Sequence, residues 1–534
     1  MMNARISTVL ALIALTFAIA LTDIGARSLW PSIVAVVSVL LLRSALSGLL
    51  IGAGAGVVLL ADGNPIKAFP AFFSDHLIPA LESEWNVSVL IFTLLLGGFA
   101  ALLEHGKGFD AILRNWLGGG SASGQRVQFS AYFMGLVCFF DGLASSLLTG
   151  KAIRPLADRV GVSRAKLAYI VDSTSSAVAC VAIMSTWIAY QLSMIREGYA
   201  QAGIDDVQPF SIFVTSIPMN YYCWFTLLLL VVVIRGNWNP GPMEQAERFC
   251  HNVVDSAESS KNNETKNEGS AWQVIIPLAA LMISLLLGLY LNGVKGDVWP
   301  FSLDKAKQAF GDAKSNLVLV YSSAIACIVA FVMNYHSIRA HERPAAVFTL
   351  GMQRFFGPCL ILVAAWCLSS TLGKLEASKY LSSLLSGNMA AGLFPAAVFL
   401  LGVMISFTTG TSWGTMGVLM PLALPAAFAL APGNESLVAA TVAAVFSGAV
   451  FGDHCSPLSD TTIVSAMACD LEPVEHVRTQ IPYAVAAALI ATFLGFIPLG
   501  FGMPPLVGLA IGGILIIFLP ALHGRFGQRR TDHG

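Results

Sequence analysis

The chain has 534 residues, 56% of them hydrophobic and only 11% charged, with a mean hydropathy of +0.73. A soluble domain carries about 25% charged residues, so the composition excludes a water-covered enzyme or binding module. A formal net charge of −1, with no concentrated basic patch, gives nucleic acid nothing to hold.

Apolar runs of about 20 residues, each able to cross a hydrocarbon core roughly 30 Å thick, recur from end to end. The expected fold is an all-α polytopic membrane protein. Its first spans lie near 6–22, 29–43 and 46–61, within an N-terminal unit 1–86. Arg5 before an apolar run imitates a secretion signal, but so many spans follow that a retained helix is the better reading. Residues 62–86 carry Asp62, Asp75, Glu82 and Glu84 against Lys67 and read as external.

A span at 87–103 opens a first half, 87–234. Lys and Arg in short loops mark the cytoplasmic side, which places 104–126, with Lys107, Arg114 and Arg126, inside. The apolar segment 127–150 is followed by Lys151, Arg154, Arg159, Arg164 and Lys166, so both its ends belong to the cytoplasm. One span cannot satisfy that; a re-entrant hairpin can. Spans at 167–195 and 210–234 follow, joined by a stretch with Glu197, Asp205 and Asp206 against Arg196. The polar residues 235–271, with Asn262, Asn263, Glu264, Lys266 and Asn267, read as a cytoplasmic linker.

The second half, 272–500, has spans near 272–291, 315–334 and 357–372, with cytoplasmic Arg339, Arg343 and Arg354 between the last two. A second hairpin, 389–431, enters from the opposite face and turns at Thr408–Ser412. Spans at 436–467 and 478–500 follow, then a last span at 503–522 and a basic tail with Arg525, Arg529 and Arg530, making up 501–534. The count is about 12 spans plus two hairpins, with both termini cytoplasmic. Four lysines in 292–314 fall on the outside and run against it.

Each half thus holds a hairpin followed by an interrupted span. Phe140-Asp141-Gly142 leads to Pro155 and then to Ile170-Val171-Asp172-Ser173-Thr174-Ser175-Ser176 within 167–195. Thr408-Thr409-Gly410 leads to Pro421 and then to Phe451-Gly452-Asp453-His454-Cys455-Ser456-Pro457 within 436–467. Matched order and opposite orientation describe an inverted repeat, and paired interrupted segments point to a transporter's binding site. Backbone groups freed by a break cost several kcal/mol each in lipid. A break persists where it lines a cavity or binds something.

Acids inside the apolar segments are few: Asp141, Asp172, Asp453 and Asp460. An aspartate at the centre of a spanning helix costs about 3 kcal/mol even on the lowest scales, so each is read as functional. The structural alternative is a helix cap, or a pair with Arg154 or Lys151. Ser173, Thr174, Ser175, Ser176, Ser456, Ser459, Thr461 and Thr462 surround these acids, and Thr409, Thr411 and Ser412 stand at the second hairpin tip. Carboxylates, hydroxyls and open carbonyls are hard ligands, suited to a hard cation such as Na⁺, with Asp172, Asp453 and Asp460 its charged ligands. Hydroxyls also bond helix carbonyls routinely. His454 is a candidate proton carrier or a neutral hydrogen-bonded residue.

The nine cysteines show no ligand spacing and read as small buried hydrophobes. No nucleotide loop, zinc-protease motif or nucleophile elbow occurs, which argues against an enzyme or an ATP-driven pump. No cofactor is expected beyond Na⁺ as transported or coupling ion.

The string Phe451-Gly452-Asp453-His454-Cys455-Ser456-Pro457-Leu458-Ser459-Asp460-Thr461-Thr462, followed by His476-Val477-Arg478-Thr479-Gln480-Ile481-Pro482-Tyr483, resembles the NhaC-type Na⁺/H⁺ antiporter family. So do Ala168-Tyr169-Ile170-Val171-Asp172-Ser173-Thr174 and Thr409-Gly410-Thr411-Ser412-Trp413-Gly414-Thr415. The resemblance runs from about residue 90 to 500. It implies membership of the larger ion-transporter superfamily, with inverted repeats, paired hairpins and a bacterial inner-membrane location. The first hairpin departs from the pattern, because Gly142 stands where many relatives carry a second acid after the position of Asp141.

The expected function is Na⁺/H⁺ antiport by competition for buried carboxylates at the repeat interface. The alternative is a Na⁺- or H⁺-coupled carrier of a small organic anion or amino acid, since the resembled family also includes malate–lactate exchangers and amino-acid carriers. The partners are then Na⁺, H⁺, a small solute in the alternative, and the lipid bilayer, with a homodimer left open.

Overall fold

The structure, a computed structural model, describes residues 2–22, 25–117, 123–204, 207–254, 269–296, 298–299, 301–385 and 389–531. Asp205, Asp206 and the middle of the linker, including Asn262–Asn267, lie outside the described residues. Every regular element among the described residues is helical. Nine of these helices are long and apolar enough to cross a membrane, or ten if Pro209–Met219 and Tyr221–Gly236, bent by 44°, form one span. Ile6–Ala20, Ala45–Leu60 and Pro505–Ala521 are shorter apolar helices.

Several segments read as loops are helical. The stretch after residue 62 folds as Pro65–Phe72, a π-helical turn Phe73–Leu77 and Ile78–Glu82. Gly108–Leu117, Leu303–Asp312 and Pro344–Arg354 are also helices. The start of the linker forms the helix Pro242–Val254. These pieces are shorter than a span, which is why hydropathy alone passes over them.

Both expected hairpins consist of two helices joined by a tight turn. The first pairs Gly124–Val137 with Gly142–Arg159, and the second pairs Phe394–Thr409 with Ser412–Leu430. Gly410 closes the second tip at φ +68°, a left-handed conformation that glycine adopts without Cβ strain. The second hairpin packs tightly on Glu435–Cys455 because that helix presents glycine at the contact. A Cβ on Gly448 would stand 2.7 Å from the Phe399 carbonyl oxygen, and one on Gly452 would stand 2.4 Å from the Ser406 carbonyl carbon. Small residues four apart allow this approach of backbones in membrane proteins. Ser406 Oγ donates 2.7 Å to the Gly448 carbonyl across the contact.

Both interrupted spans are broken, and the first is broken twice: at 174–175, inside the expected run, and again further on. Its pieces are Arg164–Ser173, Ser176–Val181 and Ile188–Gln201. Asp172 and Ser173 are helical, and the long opening lies at 182–187. At the short break, Thr174 Oγ1 donates to Ile170 O at 2.8 Å and Ser175 Oγ to Asp172 O at 2.8 Å. Both bond back onto the last turn of the helix that ends there. The second break spans 456–459, between Glu435–Cys455 and Asp460–Ala468, so Asp453 and His454 are helical as well.

Each hairpin tip rests on the broken helix that follows it. Thr186 N–H donates 2.9 Å to the Phe140 carbonyl at the first tip. At the second, a Cβ on Gly410 would meet the Leu458 backbone at 2.8 Å. The broken pieces then meet one another: Asp460–Ala468 packs against both Gly142–Arg159 and Arg164–Ser173.

Candidate ion-binding site

Asp172 is fully buried at the end of Arg164–Ser173, and other elements supply its side-chain partners. Ser465 Oγ donates to its Oδ1 at 3.1 Å, Gln480 Nε2 to its Oδ2 at 2.8 Å, and His476 Nε2 stands 3.3 Å from the same oxygen. Ser465 belongs to Asp460–Ala468, while His476 and Gln480 lie one turn apart on Pro473–Ile490. Ser465 also reaches Ser146 Oγ on the first hairpin at 2.9 Å. Hydrogen bonds to a charged group contribute about 1.5–3 kcal/mol each. Such a set allows a carboxylate to remain in a dry interior.

Asp453 is 5% exposed and is held by its own half. Ser459 Oγ donates to its Oδ1 at 3.0 Å, and the Ser412 hydroxyl of the second hairpin tip also lies against the carboxylate. Thr462 Oγ1 bonds the Asp453 carbonyl closely, and Thr461 Oγ1 is 3.4 Å from it. Asp172 and Asp460 are near enough to act on Asp453 through their charges. Gln480 joins the two acids, because its Nε2 donates 2.6 Å to the carbonyl of His454 as well as to Asp172. His454 is buried, with Nδ1 3.0 Å from the Tyr222 hydroxyl.

The remaining candidates are divided. Asp141 is buried but caps the helix Gly142–Arg159, accepting from Ala144 N–H at 2.6 Å and from Thr186 Oγ1 at 2.9 Å. That is the structural use open to it from the sequence. Asp460, expected among the buried acids, is exposed in the first turn of Asp460–Ala468. A carboxylate there is favoured by the unpaired N–H groups of the helix end, which accounts for an acid that need not be buried.

Thr409 Oγ1 donates back to Ile405 O at 2.7 Å, and Thr411 caps Ser412–Leu430 by accepting from Gly414 N–H at 3.1 Å. Ser412 Oγ also reaches Ala449 O at 3.1 Å, and Ser456 Oγ accepts from Leu458 N–H at 3.3 Å. Ser173 and Ser176 are buried with unpaired hydroxyls, as are Ser145 and Thr149 on the facing hairpin arm. The cysteines are free thiols, and all but Cys250 are buried.

Ser465, His476 and Gln480 are site residues that the search for acids passed over. Their signal was polar side chains at helical spacing, inside or just before an apolar span. None of them is an acid, so the rarity of carboxylates in apolar runs does not single them out.

With this geometry in place, the comparisons can be read against it. The sequence profile of the Na⁺/H⁺ antiporter family matches residues 178–501, which include Asp453, its ligands, and all three partners of Asp172. The chain belongs to the Na⁺/H⁺ antiporter family. It is similar along nearly its whole length to a protein of Haemophilus influenzae named only as uncharacterised, being 30% identical over 500 residues, which cover 92% of this chain and 94% of that one. A shorter match, 35% identical over 108 residues, links this antiporter to the malate-2H⁺/Na⁺-lactate antiporter of Bacillus subtilis, over 20% of this chain and 22% of that protein. The YdaH transporter of Alcanivorax borkumensis shares the fold, with a TM-score of 0.54 at 15% identity over 84% of this chain and 91% of that chain. Family and fold make the protein a multi-pass secondary transporter.

Proposed function

We propose that this antiporter exchanges Na⁺ for H⁺, the two ions competing for Asp172 and Asp453 at the junction of two inverted halves. The observation that carries the reading is the environment of Asp172. A carboxylate with no exposure is met by Ser465, His476 and Gln480 from the other half of the chain, and by one amide is joined to the helix of Asp453.

An empty carboxylate in the membrane interior is costly. A proton or a Na⁺ neutralises it, and either one displaces the other. Oxygen ligands are at hand for Na⁺: the carboxylates, Ser465, Ser459 and Ser412, with the unpaired hydroxyls of Ser173 and Ser176 beside Asp172 in sequence. Only a neutralised site passes easily between exposures, so movement without cargo is suppressed and exchange is obligatory.

Inverted membrane vesicles holding a pH gradient, reported by a trapped dye, test this. Addition of Na⁺ alone should dissipate the gradient, and Asp172→Asn should abolish the response. Retained Na⁺-driven dissipation in that variant would refute the assignment.

One observation favours a second reading. The malate-2H⁺/Na⁺-lactate antiporter is a matched relative, so a small carboxylate as cargo with Na⁺ as coupling ion is the competing reading. A gradient that responds to malate or lactate together with Na⁺, and not to Na⁺ alone, would select it.

A further inference from the structure

Gln480 is fully buried, and its amide stands between the two acids. Its nitrogen lies 2.8 Å from Asp172 Oδ2 and 2.6 Å from the His454 carbonyl oxygen. Both neighbours are acceptors, so the orientation of the amide is fixed chemically. The NH₂ faces them, spending both its protons, and Oε1 faces the other way. That oxygen is buried with no partner. A buried carbonyl without a partner costs about 1–3 kcal/mol, and it is tolerated where a ligand satisfies it in another state.

The three side chains around Asp172 differ in what they can offer a cation. His476 Nε2 faces the carboxylate, and Ser465 has one proton to share between Asp172 and Ser146. The Ser465 hydroxyl offers its proton and its oxygen at one atom, whereas Gln480 carries a donor and a neutral, hard acceptor on opposite sides of one rotatable group. Facing an empty Asp172 it supplies N–H; with Na⁺ beside the carboxylate that dipole repels the ion, and rotation about the last side-chain bond replaces N–H with Oε1. The same rotation breaks the bond to the His454 carbonyl, one residue from Asp453.

We infer that Gln480 is a Na⁺ ligand of the antiporter through Oε1, and that its amide turns over as the ion binds. Binding at Asp172 thereby releases the second half's broken helix. The inference rests on the reading that Asp172 bears the ion, and it adds a neutral ligand and a link between halves that this reading does not contain.

The test is Na⁺-dependent exchange in proteoliposomes, with Asp172→Asn measured first. Gln480→Met removes both sides of the amide at similar volume and should raise the KM for Na⁺ about ten- to a hundredfold, with turnover at saturating Na⁺ held within a fewfold. Gln480→Glu keeps an oxygen ligand while removing the N–H donor. If Oε1 ligates the ion, its KM should be no higher than that of the wild type. If the amide merely props Asp172, Glu is the worse substitution, because it removes the donor and adds a repelling charge.

A KM in Gln480→Glu as high as in Gln480→Met, or an unchanged KM in Gln480→Met, overturns the inference. Gln480→Asn keeps the amide but shortens its reach. Should the other two fail to fold, it should still raise KM about tenfold, and an unchanged value overturns the inference as well. Retained Na⁺ exchange in Asp172→Asn instead sinks the parent reading, so the two failures are distinct.

Discussion

The two broken helices hold their acids in different ways. Asp453 is held within its own half by Ser459 and by Ser412 of the adjoining hairpin tip. Asp172 draws its side-chain partners from Ser465, His476 and Gln480, all beyond residue 460. A relative movement of the halves would leave the first set intact and would have to remake the second. On the proposed reading both acids bear the ion, Asp453 in a set that travels with it and Asp172 in a set that is remade. The hairpins differ likewise. The acid of the first tip is taken up in capping a helix, whereas the second tip directs Ser412 at an acid.

The comparison is broken most directly at the acids. Asp172→Asn should abolish exchange, and Asp453→Asn should do the same with the folded yield retained; Na⁺ flux through either variant, measured in proteoliposomes, would remove that acid from the site. The next largest effect is expected at the packing that carries Asp453. Gly452→Val forces a branched side chain against Ser406, where even a Cβ stands too close, and should lower the yield of monodisperse protein severalfold on size-exclusion chromatography.

Ser465→Ala removes one hydrogen bond from a buried carboxylate, a loss of about 1.5–3 kcal/mol. It should raise the KM for Na⁺ about ten- to a hundredfold, whereas Ser459→Ala should leave the coupling ratio untouched while weakening binding at Asp453. The smallest effects belong to the acids assigned to helix ends. Asp141→Asn keeps a capping side chain and should cost less than about 1 kcal/mol of stability by thermal melting. Asp460→Asn should leave KM within about twofold, since the exposed helix-end pairing it weakens is worth under 1 kcal/mol. A tenfold change in either would restore that acid to the ion path.

Much of this was legible in the residues. Basic flanks on both sides of 127–150 called for a hairpin, and two helices joined by a turn are found there. Buried Asp172 and Asp453 were legible because an acid in an apolar run is costly. The second, longer opening of the first interrupted span was not. The run of hydroxyls at 173–176 marks the short break at 174–175, but tertiary contact sets the further opening at 182–187, where Thr186 meets the hairpin tip. The exposure of Asp460 was not legible for a related reason, since a carboxylate just after a break is also the first residue of the next helix. Gln480 and His476 were hidden because neither is an acid.

The central claim is competition at shared carboxylates, and the most direct measurement is the KM for Na⁺ in proteoliposomes across a pH series. If the two ions contend for Asp172 and Asp453, added protons raise the KM in proportion and leave the maximal rate unchanged. A maximal rate that falls while the KM stays constant would mean that proton and Na⁺ occupy different groups, and the account would be contradicted.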